Sequence, residues 1–130
     1  MSDPFQTHGA ISWSELVTPD VEAAKAFYAE LFGWDLDTAP MEGTDYTVVK
    51  VAGKAVGGMM KTPPNMPPGV PPHWGLYITV EDVQATVAKI QELGGSVWVP
   101  PTDIPKVGTF AVVADPQGAV FSVIRYAMRQ

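Results

Sequence analysis

From Ala10 to Val17 apolar and polar residues run in the short pattern of a strand, with Trp13, Glu15 and Val17 on one face. Thr18-Pro19-Asp20 ends it, and Thr18 or Asp20 can cap a following helix. Along that helix Val21, Ala24, Phe27, Tyr28 and Leu31 recur at helical spacing, a stripe expected to face a core, and Gly33 stops it. Trp34 to Asp37, Tyr46 to Val51 and Lys54 to Lys61 read as three further strands, the last two joined by a tight turn at Ala52-Gly53. A second series follows. Trp74 to Val80 is a strand, and Glu81-Asp82 opens a helix with Val83, Val87 and Ile90, and Leu93 at its end, on the inner face. Gly94-Gly95 ends the helix, and Ser96 to Val99, Thr109 to Ala114 and Ala119 to Tyr126 are strands. Asp115-Pro116-Gln117-Gly118 has turn chemistry, since proline presets its second position and glycine closes it.

The two series repeat one another. The segment from Asp20 to Gly33 aligns without a gap on that from Asp82 to Gly95, at an offset of 62 residues (82 − 20). Two copies of strand, helix and three strands predict an α+β chain of two βαβββ modules that bury their faces together, with a ligand between the halves. The expected organisation is one domain over residues 1–130. Module one covers about 8–61, a connector 62–72 and module two about 73–127. Pro63, Pro64, Pro67, Pro68, Pro71 and Pro72 make the connector extended and stiff, because proline donates no ladder hydrogen bond.

Composition narrows the function classes. At 46% hydrophobic the chain can fill a core. No apolar run approaches the ~20 residues that span a bilayer. No signal peptide is apparent at Met1 to Gln6, and the lack of cysteine fits an expected cytoplasmic location. The absence of cysteine removes disulfides, thiolate metal sites and cysteine nucleophiles. The net charge of −6, with few scattered basic residues, argues against a nucleic-acid partner, and the acidity serves either solubility or the attraction of a cationic small molecule. Gly57-Gly58 and Gly94-Gly95 match no phosphate-binding loop, and no nucleophile elbow is present.

Ala26-Phe27-Tyr28-x-x-Leu31-Phe32-Gly33-Trp34 and Asp115-Pro116-x-Gly118-Ala119-x-Phe121 resemble two signatures of the vicinal oxygen chelate superfamily. That superfamily includes glyoxalase I, bleomycin-resistance proteins and extradiol dioxygenases. The resemblance runs from about His8 to Tyr126, and the chain is most similar to small glyoxalase-like members. It implies a U-shaped, eight-stranded sheet around a cavity. In metal-dependent members His, Glu or Gln from the first and last strands of each module face that cavity and hold a divalent ion. Counting back seven positions from each helix-opening aspartate gives Trp13 and Gly75. The last-strand positions align with Ser122 and with Met60 (122 − 62), or Met59 if the hairpin differs by one residue. Tryptophan, glycine, serine and methionine do not make a hard divalent site. No cofactor is therefore expected. A rebuilt metal set would need Glu15 and His73 with His8 added from outside the first strand.

The remaining residues suggest a binding face. Trp13 and Met60 would form an apolar, polarizable floor, with space at Gly75. His73, Gly75, Tyr77 and Thr79 share a face of their strand by alternation. Glu15 stands out on an apolar face, either hydrogen-bonded to a neighbouring tyrosine or tryptophan, or acting as a base or ligand anchor. Trp74 is out of phase and should face a helix; most of the aromatic residues should lie in the core. The expected binding set is Trp13, Glu15, Met60, His73, Gly75, Tyr77 and Ser122. The leading expectation is a homodimeric small-molecule-binding protein of the bleomycin-resistance type, taking a partly aromatic or cationic compound and binding no nucleic acid or membrane. The alternatives are a lyase, isomerase or oxygenase using Glu15 and Tyr77 as its catalytic pair, or an interaction protein serving a larger assembly.

Overall fold

Two aspartates start the two helices. In the computed structural model, which describes residues 3–41, 44–63 and 69–127, Asp20 accepts the Ala23 N–H at 3.0 Å and Asp82 accepts the Ala85 N–H at 3.0 Å. Each carboxylate satisfies a donor that the first helical turn leaves open. Helix α1 spans Val21–Phe32 and α2 spans Val83–Glu92. Gly33 ends α1 at φ +71°, a conformation glycine adopts without strain, and its N–H reaches the Ala29 carbonyl at 2.8 Å. Neither helix is long and apolar enough to cross a membrane.

The strands are β1 (Ile11–Thr18), β2 (Asp35–Met41), β3 (Thr44–Val51), β4 (Lys54–Lys61), β5 (His73–Thr79), β6 (Ser96–Ile104), β7 (Gly108–Ala114) and β8 (Val120–Tyr126). With the helices they give an α+β fold of two βαβββ modules. The first module has the order β2-β3-β4-β1, with β1 and β4 parallel. The second repeats it as β5-β8-β7-β6, with β5 and β8 parallel. The chain forms two compact units, Trp13–Gly75, and Met1–Ser12 together with Leu76–Gln130.

Three expectations need correction. Strands β2 and β6 run longer than their patterns indicate, and both contain proline, at Pro40 and at Pro100-Pro101. Each is the outer strand of its module's order, where a missing N–H leaves no partner unsatisfied; the β6 pairing skips across the prolines. The α1 stripe is also narrower than expected. Val21, Ala24 and Tyr28 pack on Leu16, Val49 and Met59, but Phe27 is 58% and Leu31 55% exposed. Trp34, brought back by the Gly33 turn, stacks on Tyr28 at 5.4 Å and fills the space that the last turn would otherwise cover. In α2, Val83, Val87 and Ile90 meet the core of Val80, Ala111, Val113 and Val123, while Leu93 is exposed at the helix end.

Two tryptophans are less buried than a core place implies, Trp74 and Trp98, both exposed, while Trp34 is half-buried against the core of Leu16, Val49 and Met59. Trp74 does lie against a helix, donating to the Tyr28 hydroxyl at 3.1 Å. The Asp115–Gly118 turn forms as its sequence predicts, with Asp115 Oδ1 accepting from the Gln117 and Ala119 N–H groups. Of the connector, Thr62, Pro63 and residues 69–72 are outside any strand; Pro64, Pro67 and Pro68 lie outside the described residues.

Candidate ligand-binding site

In the first unit, alternation along β1 sends Leu16 into the core beneath α1 and turns Trp13, Glu15 and Val17 to the opposite face. The β1–β4 register sets Glu15 beside Gly58 and Val17 beside Met60. The β3–β4 register sets Val48 beside Gly58, so Tyr46, two residues earlier on β3, shares that face. Tyr46 then reaches across the sheet. A Cβ built on Gly58 would fall on the Tyr46 hydroxyl and ring, so only glycine leaves room for this crossing.

The crossing produces a directional chain of hydrogen bonds. Trp13 Nε1 donates to the Tyr46 hydroxyl at 2.9 Å, and that hydroxyl donates to Glu15 Oε2 at 2.7 Å. An indole N–H can only donate, so the Tyr46 oxygen accepts from it and sends its own proton to the carboxyl. Glu15 is 8% exposed and Tyr46 half-buried. Among the described residues, no buried side-chain nitrogen or oxygen lacks a partner. The result is one fixed polar chain on a face it shares with Val17, Val48 and Met60.

The other expected residues divide between the units. His73 and Gly75 belong to the first. The His73 Nδ1 lies 2.9 Å from the Pro71 carbonyl oxygen, and a Cβ on Gly75 would sit at an ordinary 3.9 Å from the Glu15 carbonyl oxygen. Tyr77 and Ser122 belong to the second unit and are register partners on β5 and β8. Ser122 is buried there, and the Tyr77 carbonyl accepts from Ser12 Oγ at 3.4 Å. His8 is in the second unit too, where its Nδ1 accepts the Glu81 N–H at 3.0 Å. The sequence reading did not find Tyr46. A signal existed: the paired glycines in β4 mark a place where another group packs closely against a strand.

The side chains at the four expected ligand positions do not suit a divalent ion. Trp13, Gly75, Met60 and Ser122 offer no imidazole or carboxylate. Among the described residues, no three His, Cys, Asp or Glu side chains are grouped as a metal would need.

The sequence matches the profile of the Glyoxalase/Bleomycin resistance protein/Dioxygenase superfamily over residues 10–123. The chain belongs to this superfamily. It is 46% identical over 125 residues to "Putative glyoxylase CFP32" of Mycobacterium tuberculosis, covering 94% of this chain and 46% of that protein. It is 35% identical over 129 residues to "Anthracycline biosynthesis protein DnrV" of Streptomyces peucetius, covering 90% and 47%. The chain thus spans about half the length of these superfamily relatives. The fold is also that of methylmalonyl-CoA epimerase from Mycobacterium tuberculosis, with a TM-score of 0.68 at 14% identity over 95% of this chain and 92% of that one.

Proposed function

We propose that this superfamily member binds a small, planar, partly aromatic molecule on the Trp13–Glu15–Met60 face. The observation that carries the reading is the fixed chain from Trp13 through Tyr46 to Glu15, a buried carboxylate on an apolar face. Trp13 and Met60 supply polarizable surface for a flat ring, and Glu15 supplies the polar anchor. The net charge of −6 adds a general attraction for cations. The relative named for anthracycline biosynthesis makes an anthracycline a reasonable first probe. Doxorubicin combines a planar chromophore with an amine. In equilibrium dialysis it should bind one-to-one, and Glu15→Gln and Trp13→Ala should each weaken binding by about tenfold or more, the loss of roughly 1.4 kcal/mol. No saturable binding, or binding indifferent to both substitutions, would remove the support for this site.

A second reading keeps Glu15 and makes it a general base of an isomerase or lyase. The same buried carboxylate favours it, because a base shielded from water is effective when a ligand presents its proton. Metal analysis of protein purified without a tag, followed by Fe(II), Mn(II), Ni(II) and Zn(II) titration, separates the forms of this reading. The expected result is no stoichiometric metal; a stoichiometric ion would transfer the function to metal-assisted chemistry.

A further inference from the structure

We infer that the chain's own Pro4-Phe5 occupies a binding place on β5 and β8, at Thr79 and Tyr126, from which it is displaced by a ligand that joins an aromatic ring to a carbonyl. The residues involved all belong to the unit of Met1–Ser12 and Leu76–Gln130, and none is part of the Trp13–Tyr46–Glu15 chain. Thr79 is the register partner of Ile124, and alternation along β8 puts Tyr126 on the same face as Ile124. A 3₁₀ turn at Pro4–Gln6 packs on β8 there. Two of its groups make the contact. The Phe5 ring meets Tyr126 edge-on at 5.0 Å, and the Pro4 carbonyl accepts from Thr79 Oγ1 at 2.7 Å. A carbonyl only accepts, so the single proton of the Thr79 hydroxyl is committed to it. Ser12 Oγ lies 2.9 Å from Thr79 Oγ1 and 2.8 Å from the Tyr126 hydroxyl, which links the three hydroxyls.

These contacts define what can replace the turn. Thr79 is 4% exposed, so an apolar group set in place of Pro4 would leave a buried donor unpaired, and an occupant has to bring an acceptor. Tyr126 offers its ring to a second ring. The turn itself is held lightly. A single 3₁₀ turn is a marginal element, none of its residues is buried, and Asp3, Pro4 and Gln6 are exposed. Segments with so few buried contacts open at the low end of a protein's stability range. Pro4-Phe5 is a tethered stand-in for a ligand, and it competes with a free one at the effective concentration its tether sets.

The test uses the whole chain and two probes. N-(2-phenylethyl)acetamide reproduces the Pro4 carbonyl and the Phe5 ring at their covalent spacing, and N-propylacetamide keeps the carbonyl without the ring. Followed at the Ala127 amide in a nitrogen–proton correlation titration, the phenyl probe should bind Phe5→Ala about tenfold or more tighter than the wild type, because the tethered competitor is gone. N-propylacetamide should not saturate, and adding Thr79→Val to Phe5→Ala should remove the gain. In the wild type, excess phenyl probe should carry the Phe5 ring-proton signals away from the influence of Tyr126 and toward those of free phenylalanine, a readout that survives if a variant fails to fold. Equal affinity of the wild type and Phe5→Ala, a gain indifferent to Thr79→Val, or no binding to Phe5→Ala overturns the inference. Phe5 signals that hold still in excess probe overturn it as well.

Discussion

Tyr46 and Gly58 show how one position depends on another that is distant in sequence. The Tyr46 ring occupies the space a β-carbon would take on Gly58, and its hydroxyl joins Trp13 to Glu15. Tyr46→Phe removes both bonds and leaves Glu15 short of a donor, so it should cost about 1–3 kcal/mol in urea denaturation. Gly58→Ala should cost at least as much, because the ring must move as well. Gly75→Ala is the contrasting case: its added methyl meets the Glu15 carbonyl oxygen at 3.9 Å, and stability should change by less than about 0.5 kcal/mol. A small effect at Gly58 with a large one at Gly75 would contradict this geometry. Trp13 and Glu15 were legible in the sequence, because alternation along a single strand fixes which residues share a face. Tyr46 was not, because its place depends on the β3–β4 register, which no local pattern sets.

At the level of elements, the helix ends were the most legible feature. Aspartate at the start and glycine at the stop of α1 act through local backbone geometry alone. Asp20→Ala should lower stability by about 1 kcal/mol through the open Ala23 N–H. The buried face of α1 was less legible, because apolar spacing cannot show that Trp34 folds back over the helix end. Phe27→Gln and Leu31→Gln should therefore each change stability by less than about 0.5 kcal/mol. Tyr28→Ala, which removes a ring packed against Trp34 and Trp74, should cost about 3 kcal/mol. Equal losses at all three positions would restore the wider stripe.

Between β2 and β3, the Lys50 ammonium is held above its usual value of 10.5, first by its hydrogen bond to Asp37 and then by the charges of Asp37 and Asp35. A raised folded value means that the pair's contribution is complete below pH 10.5 and fades as pH rises through the folded value. Melting temperatures of the wild type and Lys50→Met should differ below that range and converge above it. The contribution is small, because the pair is exposed and screened by solvent.

Across the molecule, the internal repeat made the two βαβββ modules readable, since one supersecondary unit written twice needs only its own periodicities. The compact units do not follow the repeat boundary at every residue. The segment before β1 groups with the second unit, where the Gly9 N–H bonds the Thr79 carbonyl at 2.7 Å and Phe5 meets Tyr126 edge-on at 5.0 Å. Short polar contacts of this kind leave no periodic trace. Membership of the superfamily fixes the fold but not the chemistry, because one fold carries many reactions and the site residues decide among them. Under the proposed reading those residues are Trp13 and Glu15, an aromatic surface and a carboxylate held by Tyr46.

The central claim is that a ligand meets the chain at Trp13 and Glu15. The four tryptophans of the sequence give four indole N–H signals in a nitrogen–proton correlation spectrum, and Trp13→Phe assigns the one bonded to Tyr46. On titration with 2-hydroxyanthraquinone the Trp13 signal should move progressively and saturate, while the signals of Trp34, Trp74 and Trp98 hold their positions. A Trp13 signal that stays fixed while another indole shifts would place the ligand elsewhere and contradict the account.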